Sequence, residues 1–332
     1  MNYDFENPLV SIGIPIFNAE NNLANLLNQL IKQDYKNKEI IISDNCSTDN
    51  SEKIAKEFSE KYKNIKYFRN KLNLGGNFNF NKVLEISNGD YFCWSSSKNI
   101  YKSNFVSKCV ETFSKNKDAV LCIPSVNYSI EGSDSIICIS ELNNLNLQNN
   151  LVKRYKEVLF NFNMVGIYGM FRKKTLDKIN KIPQILGGDT TFIQELTLFG
   201  PFIKAEETLL TYVSRKNWNN IDQDYNNLFY NKKKSFWYKP IYHLILKNLS
   251  NLFKNNNISN RNKIFITIIL VNHFFFKIYS KLYSFILIKL FGEKKHIIDK
   301  LYYKFKYNKG IKIIDEKKFY LRFIVPQILN RK

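Results

Sequence analysis

The sequence predicts an α/β protein with a doubly wound, mostly parallel sheet, followed by a basic helical region. Two observations predict this class. From residue 9 to residue 123, short apolar segments alternate with amphipathic helical segments, a pattern typical of parallel sheets covered by helices on both faces. In addition, 44% of the 332 residues are hydrophobic and 15% are aromatic, which is ample material for a packed core.

The first strand and helix set the pattern that repeats along the chain. The segment 9–17 is apolar and rich in β-branched residues, as expected of a buried strand. From Glu20 onward, leucine and isoleucine recur at the spacing of one helix face, which predicts a helix. A second strand at 39–43 ends directly before Asp44, and a second amphipathic helix is predicted over 51–62.

The alternation continues to residue 123 and then becomes less regular. Strands are predicted at 65–68, 91–94 and 119–123, and helices at 77–87 and 105–114. Beyond them, an asparagine-rich loop is expected to lead into a helix, after which short strands and one more helix return. Because ligands bind beyond the carboxyl ends of the strands in such sheets, the loops that follow the strands are expected to converge on one cleft.

Positive charge is concentrated in the last third of the chain. The whole sequence has 50 Lys and Arg against 29 Asp and Glu. Residues 230–332 hold 23 of these basic and 4 of these acidic residues, which leaves residues 1–229 near neutral. The division predicts a binding or catalytic domain at 1–229 and a basic, aromatic-rich helical region at 230–332 that meets an anionic surface.

Two interpretations of the basic region are open. Its most apolar stretch, 264–276, is too short to span a bilayer. A basic helix with apolar side chains on one side can lie on an anionic membrane surface; alternatively, the region packs on the core and exposes a solvated basic face. Nucleic acid is the weaker partner, because no recognised nucleic-acid module is present and the strand-end carboxylates would repel a polyanion.

Cysteine and histidine usage excludes several classes of function. The 5 cysteines are odd in number and lack C-x-x-C spacing, which predicts buried thiols in a reducing compartment. All 3 histidines lie beyond residue 229, so 1–229 has no imidazole for a zinc site or a Ser-His-Asp triad. Because the N-terminal segment is acidic and lacks an apolar core, a cytoplasmic protein is expected, with the basic region on the inner face of the membrane.

Several motifs follow one another between residues 8 and 114. They are Ile14-Pro15-Ile16-Phe17-Asn18-Ala19-Glu20, Asp44-x-x-Ser47-x-Asp49, Asn73-Leu74-Gly75 with Asn77, and Gly89-Asp90-Tyr91. In order and spacing they resemble the nucleotide-binding half of family-2 glycosyltransferases with the GT-A fold. The resemblance implies a GT-A-like sheet in which Pro15, Asn18 and Glu20 line a nucleotide pocket.

The same resemblance implies further contacts to a nucleotide-diphosphate sugar. Asp44 is expected to bind the base or ribose, because a carboxylate accepts hydrogen bonds from two donors at once. Asp49 is either a second ligand contact or the N-cap of the next helix. Asn77 belongs to the same implied site, and Arg215 matches a basic position that reaches the donor phosphates.

The sequence departs from the family where an acidic metal motif is expected. After Trp94 the chain reads Ser95-Ser96-Ser97-Lys98-Asn99, without a carboxylate. Ser97 and Asn99 are poor ligands for Mg²⁺ or Mn²⁺ unless a charged ligand joins them, so we expect either no divalent cation or a weakly bound one. Three alternatives are open: Lys98 stabilises the diphosphate in place of a metal, the loop borrows a ligand from elsewhere, or the domain binds without turnover.

Gly187-Gly188-Asp189 and the helical segment after it resemble the acceptor side of the same family. The resemblance implies that Asp189 is the general base of an inverting transfer; the alternative is a helix N-cap, and Glu195 is the reserve candidate. Over about residues 8–216, the resemblance implies transfer of a sugar to a glycan or lipid-linked acceptor in surface polysaccharide or glycoconjugate synthesis. The alternative function is a catalytically silent binding or scaffold protein.

Overall fold

The computed structural model describes residues 7–133, 135–136, 138–140, 150–161, 164–214, 240–291 and 311–313. The strands are β1 Val10–Ile16, β2 Lys38–Asp44, β3 Ile65–Arg69, β4 Tyr91–Trp94, β5 Ile100–Tyr101, β6 Leu121–Ile130, β7 Cys138–Ser140, β8 Met170–Arg172, β9 Phe202–Ser214 and β10 Ile311–Ile313. The α-helices are α1 Glu20–Ile31, α2 Ser51–Lys61, α3 Gly76–Glu85, α4 Phe105–Ser114, α5 Leu151–Asn161, α6 Lys173–Leu176, α7 Gly188–Leu196, α8 Pro240–Lys254 and α9 Asn260–Phe291, and a 3-10 helix spans Met164–Tyr168.

The first four strands form a parallel sheet in the order β3-β2-β1-β4. Each pair of consecutive strands is joined by a helix, so the predicted doubly wound α/β class is confirmed. The interior strands β1 and β2 are buried along almost their whole length. This explains the apolar character of β1 and of the centre of β2, Ile40 to Ile42, since a strand covered by helices on both faces has no polar side.

The second half of the sheet is mixed. β8 lies antiparallel between β4 and β6, and β6 pairs parallel with the long strand β9. We predicted only residues 119–123 as a strand, whereas β6 continues to Ile130 because β9 pairs with it as far as Ser214. The register shifts next to Pro124, where proline supplies no N–H to the ladder.

Helices cover both faces of the sheet. On one face, alternate β1 residues such as Ile12 pack with the buried leucines of α1 and with α4. On the other face, Trp94 packs edge-on against Phe92, Phe171 and Phe192 at ring-centroid distances of 4.7, 5.2 and 5.5 Å. Its indole N–H donates to the carbonyl of Phe80 at 2.9 Å. These contacts fix the end of β4, from which a loop important for the site departs.

Gly89 and Asp90 hold the starts of β1 and β4 together. Asp90 Oδ2 accepts a hydrogen bond from the Leu9 N–H at 2.9 Å, and the Gly89 N–H donates to Ser11 Oγ at 2.8 Å. A Cβ at Gly89 would lie 2.7 Å from the backbone nitrogen of Ser11, so only glycine allows this approach. The Gly89-Asp90-Tyr91 motif therefore serves the sheet, at the end remote from the cleft.

The described part of the basic region packs on the core. Leu252 of α8 and Ile266 and Leu270 of α9 form a buried cluster with Tyr155 of α5. This contact shows the packing that the second interpretation expects, while apolar side chains such as Leu246 and Ile264 remain exposed on these helices. The proposed boundary near residue 229 falls within 215–239, outside the described residues. Among the helices that the structure describes, none combines the length and apolar character needed to cross a bilayer.

Glu195 joins this helical region to the core. It is buried on α7, where its Oε1 accepts from Asn180 Nδ2 and its Oε2 accepts from Asn251 Nδ2 of α8, both at 2.6 Å. Burial raises the pKa of Glu195, and the hydrogen bonds from Asn180 oppose that rise. Because both carboxylate oxygens are occupied by structural partners, we assign Glu195 to packing and no longer to the reserve role of general base.

We predict that Glu195→Ala lowers the free energy of unfolding by about 1–3 kcal/mol, because it leaves the buried Asn251 amide without its acceptor. Denaturant unfolding measures the change. The control is Glu57→Ala, which removes an exposed carboxylate from α2 and should change stability by less than about 0.5 kcal/mol. Equal stabilities of the two variants would contradict the assignment.

Candidate functional site

The turns after β1 and β2 hold each other through backbone donors. The N–H of Asn18 donates to Ser47 Oγ at 2.9 Å, and the N–H of Glu20 donates to Asp49 Oδ2 at 3.0 Å. Asn18 has φ of +50°, a left-handed conformation that asparagine tolerates better than most residues. The turn after β1 is thus shaped by side chains that follow β2.

Side chains of the turn after β1 in return accept hydrogen bonds from the turn after β2. Asn18 Oδ1 accepts from the Thr48 N–H at 2.9 Å, and Glu20 Oε2 accepts from the Asn50 N–H at 3.0 Å. Cys46, in the turn after β2, is also left-handed, with φ of +65°. Each turn therefore satisfies backbone N–H groups of the other, which fixes both at the carboxyl edge of the sheet.

The carboxylates of Glu20 and Asp49 accept the backbone hydrogen bonds that join the two turns. Asp49 Oδ1 also accepts from the Ser51 N–H, the first of α2, at 2.9 Å. Burial raises the pKa of Asp49, but the hydrogen bonds from Ser51 and from the Glu20 N–H outweigh it, so the pKa is lowered overall. We therefore treat both carboxylates as positioning groups for the turns. The N-cap position of α2 belongs to Asn50, so the N-cap alternative does not describe Asp49.

Pro15 lies just beyond the point where the pairing of β1 with β4 ends. The register of β1 with β4 ends at the pair Gly13 and Trp94, and the next residue, Ser95, donates its N–H to the Gly13 carbonyl at 2.8 Å. Residues two apart in a strand face the same neighbour, so Pro15 faces the loop after β4. Because proline has no N–H, the chain can open a gap here without leaving a donor unpaired.

Asp44 is fully buried at the end of β2. Its Oδ1 accepts from the Ser47 N–H at 2.8 Å, while its Oδ2 accepts from the Tyr67 hydroxyl at 2.9 Å and from Arg69 Nη1 at 2.8 Å. Arg69 is partly exposed and also pairs with Glu52. Both Asp44 oxygens are therefore engaged, and Arg69 covers the carboxylate that we expected to meet the nucleoside.

Two buried asparagines, which the sequence analysis missed, fix the loop after β3. Asn45 donates to Asn73 Oδ1 at 2.7 Å and accepts from the Leu74 N–H at 3.1 Å. Asn79 of α3 donates to the carbonyls of Ile16 and Ser43, which end β1 and β2. In a chain with many asparagines, no sequence signal separates these buried ones from exposed ones.

Asn77 connects the nucleotide half to the acceptor-side segment. Its Nδ2 donates to the carbonyls of Pro183 and Ile185 at 2.7 and 3.3 Å. A Cβ at Gly188 would overlap the carbonyl oxygen of Pro183, and Gly187 is left-handed, with φ of +75°. Asn77 and the two glycines thus place the start of α7 against α3, and the Asn77 side chain is engaged in this contact.

Asp189 lies half-buried in the first turn of α7. Its Oδ1 accepts from the Thr190 N–H at 2.9 Å. Burial raises the pKa of Asp189, and the backbone hydrogen bonds only partly oppose the rise. The helix N-cap position belongs to Gly187, so the N-cap alternative does not describe Asp189. A carboxyl group with a raised pKa suits proton transfer near neutral pH.

Tyr168 links Asp189 to the loop after β4. Burial raises the pKa of Tyr168 well above its ordinary value, and the Asp189 carboxylate adds to the rise. The nearby Ser96 side chain opposes this rise in pKa, and the ring of Tyr168 stacks on Tyr212 of β9 at a ring-centroid distance of 6.0 Å. Tyr168 thus responds to both Asp189 and the loop that follows β4.

The loop after β4 holds an ion pair. The Asn99 N–H donates to the Ser96 carbonyl at 3.0 Å, closing a tight turn that contains Lys98. Lys98 Nζ lies 2.8 Å from both carboxylate oxygens of Glu131. Glu131 could not be identified from the sequence as a partner of this loop, because it follows β6, 33 residues away, and only the folded sheet brings it to the loop.

Within the described residues, the side chains around the loop after β4 are a poor ligand set for a divalent cation. Ser95 Oγ and Asn99 Oδ1 are buried neutral oxygens, and neither has a hydrogen-bond partner among the described residues. The carboxylate that does reach this loop, that of Glu131, is bound to Lys98. Among the described residues, no three or more His, Cys, Asp or Glu side chains are grouped to hold a metal ion. Arg215 lies outside the described residues, directly after the end of β9.

Comparisons with known proteins place this geometry in a family. The family model described as Glycosyl transferase family 2 matches residues 11–179, half of the chain. An uncharacterized glycosyltransferase of Rickettsia conorii is 36% identical over 117 residues, covering 34% of this chain and 19% of that protein. Abequosyltransferase RfbV of Salmonella typhimurium is 42% identical over 89 residues, covering 26% of each chain. The matches thus span about a fifth to a quarter of these two relatives.

The fold has solved neighbours as well. The crystal structure of Staphylococcus aureus TarS residues 1–349 in complex with UDP-GlcNAc superimposes with a TM-score of 0.61 and 14% sequence identity. The alignment covers 80% of this chain and 72% of that chain. At this identity the likeness establishes the fold alone.

Proposed function

Because the chain belongs to glycosyl transferase family 2, we propose that it transfers a sugar from a nucleotide-diphosphate sugar to a hydroxyl acceptor with inversion at the anomeric carbon. The observation that carries the proposal is the position of Asp189. The Gly188 backbone directly before it packs against the Asn77 side chain of α3, which places this carboxyl group beside the nucleotide half. A base candidate and the donor side of the sheet thus face one another.

The nucleoside end of the donor is assigned to the end of β2. Arg69 is partly exposed there and is held by Asp44 beneath it at 2.8 Å. A guanidinium on a buried carboxylate presents fixed donors to the carbonyl oxygens of a base. Asp44 then acts by orienting Arg69, and it contacts the nucleoside itself only if Arg69 turns aside. Pro15 and Asn18 border the same edge of the sheet.

Asp189 is assigned the role of general base. The acceptor oxygen forms a bond to the anomeric carbon as the bond from that carbon to the diphosphate breaks, and the acceptor proton passes to the Asp189 carboxylate. Burial raises the pKa of Asp189 and makes its carboxylate a stronger base than an exposed aspartate. Attack from the face opposite the departing nucleotide inverts the anomeric configuration.

We predict that Asp189→Asn lowers the transfer rate roughly a hundredfold or more, because the amide cannot accept the proton, while nucleotide affinity is unchanged. Turnover of a suitable donor and titration calorimetry measure the two quantities. Asp118→Asn, at an exposed position outside the cleft, is the matched control and should keep full activity. Transfer that survives Asp189→Asn would refute the assignment.

The rate of the native protein should also depend on pH through Asp189. A base works only when deprotonated, so activity is lost as the pH falls through the raised pKa. Nucleotide binding without turnover by the native protein over the whole pH range would favour the silent binding or scaffold alternative.

The acceptor is proposed to be a glycan or lipid-linked molecule at the inner face of the membrane. The basis is a stripe on α9 at helical spacing, which we call the apolar stripe: Ile264, Ile268, Val271 and Phe275, all exposed. Its first residue is 61% exposed. On α8, Leu246 is 64% exposed. Lysine and arginine side chains occur on the same two helices, so apolar and cationic groups are both available to an anionic lipid surface.

We predict that the protein sediments with vesicles containing phosphatidylglycerol and much less with pure phosphatidylcholine, because headgroup attraction adds to apolar insertion. Replacing both Ile264 and Ile268 with Ser should weaken vesicle binding at least about tenfold, given the apolar area lost. The melting temperature should change little, since both side chains are exposed. Vesicle binding that is unaffected by the double substitution would contradict the proposed surface.

A further inference from the structure

The ion pair between Lys98 and Glu131 is held by two fixed turns. Lys98 lies in the turn closed by Ser96 and Asn99, and β5 begins directly after it and pairs with β9. Glu131 follows β6, where its N–H donates to the Ser214 carbonyl at 2.9 Å. The following residue, Gly132, has φ of +78° and turns the chain back. The backbone positions of both charges are therefore set by the sheet.

The two partners differ in their access to water. The Lys98 side chain is 27% exposed, whereas that of Glu131 is 42% exposed. Glu131 can rotate into solvent without burying its charge, while Lys98 would leave a more enclosed position. When a competing anion arrives, the carboxylate is therefore the partner that moves.

We propose that this pair is exchangeable: Glu131 holds the Lys98 ammonium at the end of β4, and the donor diphosphate takes the ammonium over as Glu131 turns to solvent. Lys98 is then the cation of the diphosphate site, and Glu131 is its positioning residue. The inference rests on the proposed function, since it requires a nucleotide-diphosphate ligand. In this proposal, Lys98 takes the place of a divalent cation, for which the loop after β4 offers a poor set of ligands.

Electrostatics favour the diphosphate over the Glu131 carboxylate as the partner of Lys98. A diphosphate offers several oxygens and more negative charge than one carboxylate, so it competes well for a single ammonium. Glu131 nevertheless opposes binding, because its attraction to Lys98 must be given up. After transfer, the carboxylate is available to reclaim Lys98 as the nucleoside diphosphate leaves.

The test is titration of UDP and GDP in EDTA into the native protein, Glu131→Gln, Lys98→Met and the double variant. Methionine keeps the apolar stem of the lysine and removes its charge. We expect Glu131→Gln to bind about threefold more tightly, the amount that a partly exposed ion pair is worth. Lys98→Met should bind roughly tenfold or more weakly, because a charged hydrogen bond to phosphate is lost.

The double variant isolates the exchange. If Glu131 acts through Lys98, Glu131→Gln should have little effect in the Lys98→Met background. The control is Glu207→Gln, which removes the same charge from an exposed pair with Lys108 and should leave affinity unchanged. Thermal unfolding of each variant verifies that it is folded.

Each outcome decides between this inference and the proposed function. Unchanged or weaker binding by Glu131→Gln would overturn the exchange, and so would an equal effect in both backgrounds. Nucleotide binding by the native protein that requires Mn²⁺ would overturn the exchange and leave the proposed function intact. Failure to bind either nucleotide, with or without Mn²⁺, would overturn both.

Discussion

The reciprocal hydrogen bonds between the turns after β1 and β2 are the constraint on which the rest of the site depends. Parallel strands leave backbone N–H groups unpaired where each strand gives way to a helix. Here the side chains of Ser47 and Asp49 accept from one turn, and those of Asn18 and Glu20 accept from the other. The two left-handed residues are tolerated because these bonds determine their conformation.

Two of the charged groups near this edge are already paired within the protein. Asp44 is bound to Arg69, and Lys98 is bound to Glu131. A charged ligand that binds at either pair therefore exchanges partners, and the more exposed member of each pair is the one free to respond. In such an arrangement, the free-energy cost of passing from the ligand-free to the ligand-bound state is small, because no isolated charge has to be buried.

The fold could be predicted from the sequence because its signals are local. The alternation of apolar strands and amphipathic helices located β1 to β4 and their helices. The extension of β6 could not be predicted in this way, because it depends on pairing with β9, about 80 residues further along the chain. The residues of the site also fall into these two groups. Motif residues such as Asn18 and Asp44 are at the expected strand ends. Glu131 and Arg69 can be identified only from their contacts in the folded sheet.

The motifs also predicted where their residues lie better than what the side chains contact. Glu20, Asp49 and Asn77 were expected to contact the donor, and in the structure their polar groups hold turns and loops. A carboxylate or amide at a strand end can serve a ligand or a backbone N–H equally well. Spacing alone does not separate these uses, and hydrogen-bond geometry does.

The most direct test of the central claim is a crystal structure of the protein with UDP or GDP bound in the presence of EDTA. The account predicts a diphosphate within hydrogen-bonding distance of Lys98 Nζ, Glu131 turned to solvent and the nucleoside against Arg69. A diphosphate bound away from Lys98, with the pair to Glu131 intact, would contradict it.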